Sequence, residues 1–505
     1  MRFGYRENID IKKADILSAE HWQTENSSLM MAGYRLLAIF AIPKEIQDDQ
    51  NAYSLCSLLC NDEKKTLHFL CSEPLKSYSS LTAKFPQAHF FEREIYEQTR
   101  VMPLGHPWLK PVRFNTPWPE ANGTLRRLGP AETNFFKTIG SEVHEVAVGP
   151  VHAGIIEPGH FRFQCFGETV LNLEICLGFQ HRAIENLMNK ANPSRRLSLA
   201  ECIAGDSSVG HVLAHCLALE KLAGITVPLR ARLIRRLALE IERLANHTGD
   251  LGAIGGDTGF LPTSSWNGRI RGDFLNATAV LCGNRFGRNL ICLGGTHLAP
   301  SKADCNDLIS RLSNAYRDAR SSVDIMLHDP SVHDRLDGTG PISLETAIVY
   351  GLVGMAARAC GLAIDARFSL PIDDEKLIAK SPVIEKNGDV WARTMVRSRE
   401  LDDSFYQAIA DIEALQKISD QEAFITPMPD KFPPLHLSVA QVEGWRGEIC
   451  HIILTDKNGD PTFHKIIDPS FHNWPGLAMA LRGQQISDFP LCNKSFNLSY
   501  CGVDL

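Results

Sequence analysis

The sequence lacks any uninterrupted run of about 18 apolar residues, which is the length that a membrane-spanning helix needs. Its first residues, MRFGYRENIDIKKADIL, also lack the apolar core of a secretory signal. Lysine and arginine form no cluster, and the formal net charge of −7 over 505 residues is mild. These absences argue against a membrane-spanning chain, an exported protein and a nucleic-acid-binding protein, so we expect a cytoplasmic chain.

No Cys-x-x-Cys spacing occurs, although the chain contains 14 cysteines. The closest pair, Cys56 and Cys60, lies beside Leu58 and Leu59, and we expect both thiols to pack as small hydrophobes rather than to bind a metal. Scattered cysteines in a long chain without an export signal are typically reduced. We therefore expect free thiols rather than a disulfide framework.

The composition is that of a globular protein, with 44% hydrophobic and 22% charged residues. The length predicts two or three domains. Residues 1–120 are interpreted as a small α+β domain, because LLAIFAIP (36–43) and TLHFLCS (66–72) are typical of strands. The polar, proline-containing stretch from 113 to 133 indicates a linker, assigned to 121–133, and a larger, mainly helical domain is predicted over 134–505.

Two helices are predicted in the larger domain. Leu229, Leu233, Leu237 and Leu244 recur at helical spacing within Val227–His247, which indicates an amphipathic core helix. A second helix is predicted over residues 207–222, with capping by the polar residues at 206 and 207. After position 447 the pattern predicts a small strand region, a turn through DPSFHNWPG (468–476) and an irregular tail. The predicted fold class is α+β.

Several long motifs carry a resemblance to a known family. FPQAHFFEREIYEQTRVMPLGHP (85–107) resembles the signature of the small peripheral-arm subunit of respiratory complex I, with Glu92, Arg93 and Glu94 at its centre. From Gly149 onward the chain resembles the partner subunit of that protein, which shares ancestry with the large subunit of energy-converting nickel-iron hydrogenases. The motifs are GPVHAGIIEPGHFRF, LGFQHRAIENLM, GDSSVGH, LALEIERLANHTGDLG, GFLPTSSWNGRIRGDFLN, GNRFGRN, VEGWRGE and the ending DFPLCNKSFNLSYCGVDL.

The resemblance implies a metal site whose ligands are missing. Nickel-iron hydrogenases bind their metals through two Cys-x-x-Cys pairs, because soft thiolates hold these metals. The first pair aligns with Ala204 and Ser207, and the second aligns with Ser499 and Gly502. None of these four residues supplies a thiolate. We therefore expect a metal-free cavity and no metal or other cofactor bound by this chain.

Two cysteines lie near these positions. Cys202 and Cys501 offer two sulfurs where four are required, and buried thiols beside the cavity are the favoured interpretation.

In complex I the same cavity takes the quinone headgroup, between a histidine and a tyrosine. The resemblance makes His152 and His160 candidate headgroup or proton contacts, whereas Gly205 stands near the tyrosine position. Glu157 is the candidate proton-relay carboxylate, because burial in an apolar cavity raises a carboxyl pKa toward neutrality. The alternative for each histidine is an ordinary structural role. The alternative for Glu157 is loop capping.

Other residues are expected to line the cavity or to face a partner subunit. Asp206, Ser207, Arg446 and Ser499 are the remaining candidate cavity and quinone-binding residues. Arg182 and His247 resemble basic residues that approach a [4Fe-4S] cluster in the adjoining subunit, where positive charge raises the cluster's reduction potential. A surface charge or a core hydrogen bond is the alternative for each. Arg285 and Arg288 are expected to be core-spanning or cavity-edge arginines, as is Arg446.

The resemblance thus implies an oxidoreductase subunit of the NADH:quinone oxidoreductase-like or hydrogenase-like kind. Its expected partners are an iron-sulfur cluster subunit and membrane-arm subunits, which would attach it to the cytoplasmic face of the inner membrane. One hypothesis is an electron- and proton-handling role, possible quinone binding included. Another is a purely structural and coupling role, and a working nickel-iron hydrogenase is the least favoured.

Overall fold

The computed structural model describes residues 1–43, 53–119, 124–152, 156–369 and 377–505. Residues 121–123 of the predicted linker and 153–155 of the first cavity motif lie outside the described residues. The predicted α+β class is confirmed. Within the described ranges, none of the helices combines the length and the hydropathy that crossing a bilayer requires.

The strands form several small sheets rather than one large sheet. They are β1 Arg2–Gly4, β2 Ile9–Asp10, β3 Ile16–Leu17, β4 Arg35–Pro43, β5 Tyr53–Asn61, β6 Thr66–Leu75, β7 Ser77–Ser79, β8 Met102–Leu104, β9 Trp118–Pro119, β10 Leu125–Arg126, β11 Val143–Val148, β12 His160–Phe166, β13 Thr169–Cys176, β14 Ile291–Cys292, β15 Gly295–Thr296, β16 His436–Glu443, β17 Glu448–Thr455 and β18 Pro461–Ile467.

The helices dominate the second half of the chain. They are α1 Ala19–Met31, α2 His89–Thr99, α3 Ile184–Lys190, α4 Pro193–Ala200, α5 Ser208–Ala223, α6 Leu229–Asp257, α7 Leu261–Cys282, α8 Lys302–Leu327, α9 Pro330–Leu336, α10 Leu344–Tyr350, α11 Gly354–Ala359, α12 Ala366–Ser369, α13 Val390–Lys417, α14 Pro469–Ala480, α15 Phe489–Phe496 and α16 Cys501–Asp504.

The N-terminal sheet has the order β1-β6-β5-β4, and β3 adds to β6 in parallel. Both strands predicted here are present, as β4 and β6. Helix α1 packs against the sheet and buries Trp22 completely. The signature helix α2 is buried along most of its length, and its Glu92 accepts hydrogen bonds from Ser80, Leu81 and Thr82.

The N-terminal segment and the C-terminal region share a sheet. Strand β2 pairs with β16 at the edge of the sheet β18-β17-β16-β2. The Arg35 guanidinium of β4 also forms an ion pair with Glu448 of β17, with the nearest atoms 2.9 Å apart. A second ion pair joins Glu94 of α2 to Lys465 of β18, with Nζ and Oε1 2.6 Å apart. Fixed backbone pairing and buried ion pairs therefore connect the two parts of the chain.

The core helices are α5, α6, α7, α8 and α13, and both predicted helices are present among them. Helix α6 begins at Leu229 and continues to Asp257, ten residues beyond the predicted end, because the glycines after His247 let it pack closely on α7. A Cβ at Gly252, for example, would lie 2.8 Å from the Asn267 Cβ atom. The middle of α6 carries Glu242 and Asn246, which bind the start of α5 and the loop before it.

The prediction of a turn through DPSFHNWPG and of an irregular tail is wrong. After the sheet of β16, β17 and β18, this segment forms α14, and the tail forms α15 and α16. Asp468 caps α14 by accepting a hydrogen bond from the Ser470 amide, and Pro469 occupies the first helical position. These start signals favour a helix despite Pro475 inside it.

Candidate functional site

The candidate site lies where three segments meet: residues 149–152 and 156–160 leading into β12, residues 202–207 between α4 and α5, and residues 497–505 at the C-terminal end. A hydrogen bond joins the first segment to the third, and two arginines from outside the segments bridge the second and the third. The four positions aligned with the missing ligands belong to the second and third segments. Ala204, Ser207 and Ser499 are each at most 3% exposed, and Gly502 is buried too.

Helix α5 begins beside this loop, and its cap differs from the prediction. Ser207 does stand at the N-cap position, but its side chain caps no amide, and neither does Asp206. The Glu242 carboxylate of α6 accepts hydrogen bonds from the amides of Val209 at 2.8 Å and Gly210 at 3.3 Å. The predicted capping role is therefore wrong, because the Asp206 carboxylate is bound elsewhere and Glu242 takes its place.

Glu242 is an acid placed in an unfavourable environment for its charge. Burial raises the pKa of this carboxyl to about 8, and the two amide hydrogen bonds offset only part of that effect. The acid is therefore protonated at neutral pH, next to the cavity loop.

Arg446 binds the loop 202–207 to the C-terminal segment. Its two terminal nitrogens donate to the two oxygens of Asp206 at 2.6 and 2.8 Å. Its Nε atom donates to the Asn497 carbonyl at 2.5 Å. Burial disfavours the Asp206 anion, but the Arg446 charge and hydrogen bonds outweigh it and lower the carboxyl pKa. Planar two-point geometry of this kind is specific to arginine.

Arg182 joins the same two segments at the surface. Its side chain donates to the carbonyl oxygens of Cys202 at 2.5 Å, Ile203 at 2.9 Å and Cys501 at 3.0 Å. The residue is exposed, so the same guanidinium presents a positive charge to the outside.

The C-terminal segment is too closely packed for a side chain at one ligand position. A Cβ at Gly502 would lie 2.6 Å from the Asp468 Oδ2 atom and 2.9 Å from the Ser499 hydroxyl oxygen. Ser499 instead accepts a hydrogen bond from the Gly502 amide at 2.9 Å, and its oxygen lies 3.5 Å from the Cys501 sulfur. A hydroxyl and an amide thus occupy the space that thiolates would need.

The residues present do not fit a nickel-iron centre. Cys202 and Cys501 are the sulfurs nearest in sequence to the ligand positions, and both are half-buried. Burial, followed by the charge of Glu157, raises the pKa of the Cys501 thiol to about 12, which keeps it neutral. In the described part of the chain, no group of three or more histidine, cysteine, aspartate or glutamate side chains is arranged to hold a metal ion.

His152 and Glu157 lie just before β12, and His160 is the first residue of that strand. The His152 Nε2 atom lies 3.0 Å from the Gly159 carbonyl oxygen. The His160 Nδ1 atom lies 3.4 Å from the Gly149 carbonyl oxygen, while its buried Nε2 atom has no hydrogen-bond partner among the described residues. Burial lowers the pKa of His160, so its ring is neutral.

Glu157 connects this turn to the C-terminal segment. Its Oε2 atom accepts a hydrogen bond from the Tyr500 amide at 3.1 Å. The carboxylate therefore sits beside the Cys501 thiol, with His152 and His160 in the same segment. These groups can accept, hold or donate protons, which is the chemistry that a proton-coupled redox site requires.

A narrow cavity opens on the other side of Asp206. Its lining includes Gly205, Asp206, Glu242, Asn246 and Arg285, and its volume of about 10 Å³ is comparable to that of a single water site. Arg285 is exposed and lies at the edge of this cavity. Of the two predicted alternatives, core-spanning or cavity-edge, its position matches the second.

His247 lies away from these segments. It is fully buried between α6 and α13, where its Nε2 atom is 2.8 Å from a Glu400 carboxylate oxygen. Glu400 is also paired with Arg358 at 2.7 Å and Arg367 at 2.9 Å. This position matches the core hydrogen bond named as the alternative for His247. Arg288 is half-buried and lies outside the three segments.

Sequence reasoning missed a cluster of four buried histidines, which are contributed by α5, β17 and β18. The His211 ring lies 3.1 Å from Asp468 and 3.2 Å from His451. His215 follows one helical turn later, with ring centroids 6.2 Å from His451 and 5.7 Å from His464. All four rings are at most 3% exposed. The available signal was the spacing of four residues between His211 and His215 on the buried face of α5.

Two family profiles match the chain. The family described as respiratory-chain NADH dehydrogenase, 30 Kd subunit, matches residues 11–132. The family described as respiratory-chain NADH dehydrogenase, 49 Kd subunit, matches residues 257–505. The two matches follow the order of the two predicted domains.

Curated relatives include hydrogenase subunits. The carbon monoxide-induced hydrogenase of Rhodospirillum rubrum is 30% identical over 360 residues, which cover 70% of this chain and 97% of that protein. Formate hydrogenlyase subunit 5 of Escherichia coli is 29% identical over 447 residues, which cover 85% of this chain and 77% of that protein.

A solved structure has the same fold. A chain in the structure of a membrane-bound sulfane sulfur reductase, an archaeal respiratory membrane complex, aligns with a TM-score of 0.65 at 23% identity, covering 73% of this chain and 100% of that chain. The chain belongs to the family that unites the 49 kDa subunit of respiratory-chain NADH dehydrogenase with the large subunits of membrane-bound hydrogenases, and it carries a domain of the 30 kDa subunit type in front.

Proposed function

We propose that this chain is the peripheral subunit that handles electron and proton transfer in a membrane-bound complex of the complex I and hydrogenase type. The reaction site is the meeting point of the described residues 149–152 and 156–160 with segments 202–207 and 497–505. Quinone is the proposed electron acceptor there. A [4Fe-4S] cluster of a partner subunit supplies the electrons, and membrane-arm subunits hold the assembly on the cytoplasmic face of the inner membrane.

One observation carries the proposal: proton-handling groups, rather than metal ligands, line the meeting point. Glu157 is bound to the backbone of Tyr500, and the buried Nε2 atom of His160 lacks a partner among the described residues. A buried polar nitrogen without a partner is costly, so its persistence favours a ligand or water bound there. Because the neutral ring directs its Nδ1 proton at the Gly149 carbonyl, this Nε2 atom accepts a hydrogen bond, which the hydroxyl of a reduced quinone can donate.

The partner cluster is proposed from the exposed arginine. Arg182 binds carbonyl oxygens of segments 202–207 and 497–505 and still presents its charge outward. Positive charge next to an iron-sulfur cluster favours the reduced state. This arrangement supports an electron entry point on the Arg182 face, on the outer side of the same segments that hold Glu157.

The test uses the intact complex, isolated through a tag on this chain. We expect reduction of a short-chain quinone, and we expect that activity to fall by at least tenfold when His152 and Glu157 are both replaced by Ala. His144→Ala, an exposed position on β11, is the matched control and should retain full activity. Full activity of the double variant, or one nickel atom per chain by metal analysis, would contradict the proposal.

A second candidate function is favoured by one feature of the cavity. Gly205 stands where the quinone-binding relatives have a tyrosine, and a Cβ built there meets no atom within 4 Å. In that case the chain is a structural and coupling subunit without redox chemistry. Variants of His152 and Glu157 would then leave electron transfer unchanged, whereas replacing Arg182 would release the cluster subunit from the purified complex.

A further inference from the structure

Two cysteines face each other across the middle of the N-terminal sheet. Cys56 of β5 and Cys71 of β6 are direct partners in the antiparallel register. Their side chains therefore project from the same face of the sheet. The two sulfur atoms are 3.6 Å apart, and the Cys56 thiol donates a weak hydrogen bond to the Cys71 sulfur.

The backbone already has the geometry that a disulfide needs. Directly opposed antiparallel residues have Cα atoms about 4.5 or 5.5 Å apart, depending on the type of pair. Both values fall within the range of about 4.4 to 6.8 Å that disulfides span. The register also shifts between Ser54 and Cys56, so the ladder is locally irregular where the sulfurs must approach.

We propose that Cys56 and Cys71 form a reversible dithiol–disulfide site that responds to peroxide. The two thiols are oxidised and hydrogen peroxide is reduced, which yields one sulfur–sulfur bond and two water molecules. This site lies outside the three segments of the candidate functional site, and the proposal does not rest on the proposed function.

The two cysteines have different roles in the reaction. Cys71 is half-buried and therefore reachable, whereas Cys56 is completely buried. The hydrogen bond from Cys56 lowers the pKa of Cys71, while burial raises the pKa of Cys56. The Cys71 thiolate attacks the peroxide oxygen and becomes a sulfenic acid, with loss of one water. The Cys56 sulfur then attacks the Cys71 sulfur, and the hydroxyl leaves as the second water.

A neighbouring thiol shows what an unpaired cysteine looks like in the same sheet. Cys60 lies on the same strand, is 1% exposed, and faces Leu67 across the ladder. It has no opposing sulfur to condense with. Cys60→Ser is therefore the matched control for a change of a buried thiol in β5.

The test oxidises the reduced full-length chain with a small excess of hydrogen peroxide, blocks the remaining thiols, and identifies the peptides by mass spectrometry. We expect a linked Cys56–Cys71 peptide, lighter by two hydrogen atoms, that a dithiol reductant separates. The Cys60→Ser chain should form the same link. The Cys56→Ser chain should instead accumulate Cys71 with added oxygen, since no second sulfur resolves the sulfenic acid.

Two results would overturn the proposal. The first is an unmodified or over-oxidised Cys71 in the parent chain with no linked peptide. The second is a link between Cys71 and a different cysteine. Because the readout is the bond itself in the parent and Cys60→Ser chains, poor folding of the Cys56→Ser chain would not rescue or defeat the proposal.

Discussion

The buried histidine cluster should make the stability of the fold sensitive to mild acid, and His215 gives the sharpest test. Both ring nitrogens of His215 lack hydrogen-bond partners among the described residues, and the ring is completely buried. Burial, aided by the charge of Arg196, lowers its pKa from 6.5 to about 3. The folded state therefore holds a neutral ring at pH values where the unfolded chain takes up a proton.

The direction and the size of the pH effect on stability follow from this difference in pKa between the folded and unfolded states. A histidine with a lowered folded-state pKa contributes no penalty above pH 6.5, and stability is lost as the pH falls from 6.5 toward 3. Each pKa unit corresponds to about 1.4 kcal/mol, so the full shift is worth about 5 kcal/mol, of which about 2 kcal/mol is lost between about pH 7 and about pH 5. His451 and His464 act in the same direction, because burial lowers both of their pKa values.

Hydrogen exchange of the α5 amides measures the effect locally, without assuming that 505 residues unfold in one step. After correction for intrinsic exchange, the opening equilibrium of α5 in the parent chain should rise by at least about 30-fold over that pH change. His215→Leu should remove about that factor, and His144→Leu, at an exposed position, should not. An unchanged pH response in the His215→Leu chain would refute the assignment of the penalty to His215.

Three further predictions concern single positions. Arg446→Met should lower the free energy of unfolding by about 2 kcal/mol, because a charged two-point hydrogen bond is lost, and adding Asp206→Asn should recover part of it in denaturant titrations. Gly502→Ala should lower the melting temperature, since its new Cβ would be 2.6 Å from a carboxylate oxygen, whereas Gly205→Ala, in open space, should not. Arg358→Met should cost about 3 to 5 kcal/mol or abolish soluble expression, because buried carboxylates would lose their cation.

The regular elements were predictable because they follow local rules. The leucine spacing of α6 and the apolar runs of β4 and β6 indicated these elements from the sequence, although the end of α6 was placed ten residues too early. Glycines usually weaken a helix, and here close packing on α7 overrides that tendency. The C-terminal tail was missed for a related reason, because Pro475 suggested a turn where the Asp468 cap and tertiary packing favour α14.

The contents of the site were only partly predictable. Motif alignment named Glu157, His152, His160 and the four ligand positions as candidates, since those depend on position along the chain, and their roles stay predictions. The capping role of Glu242 depends on which buried group happens to face the end of α5, and Asp206 was instead paired with Arg446. Long-range partners of this kind, about 30 to 240 residues apart, leave no local pattern in one sequence.

The way the two ligand-bearing segments are held together explains how this fold persists without a metal ligand set. In a nickel-iron relative, thiolates from both segments would meet at one metal pair and so cross-link them. Here Arg182 and Arg446 each bind both segments through directed hydrogen bonds, and most of those contacts are partly buried. Hydrogen bonds that involve a charged group contribute about 1.5 to 3 kcal/mol each, so the two guanidinium groups supply a cross-link of useful strength. The two segments can thus stay in place without a shared metal.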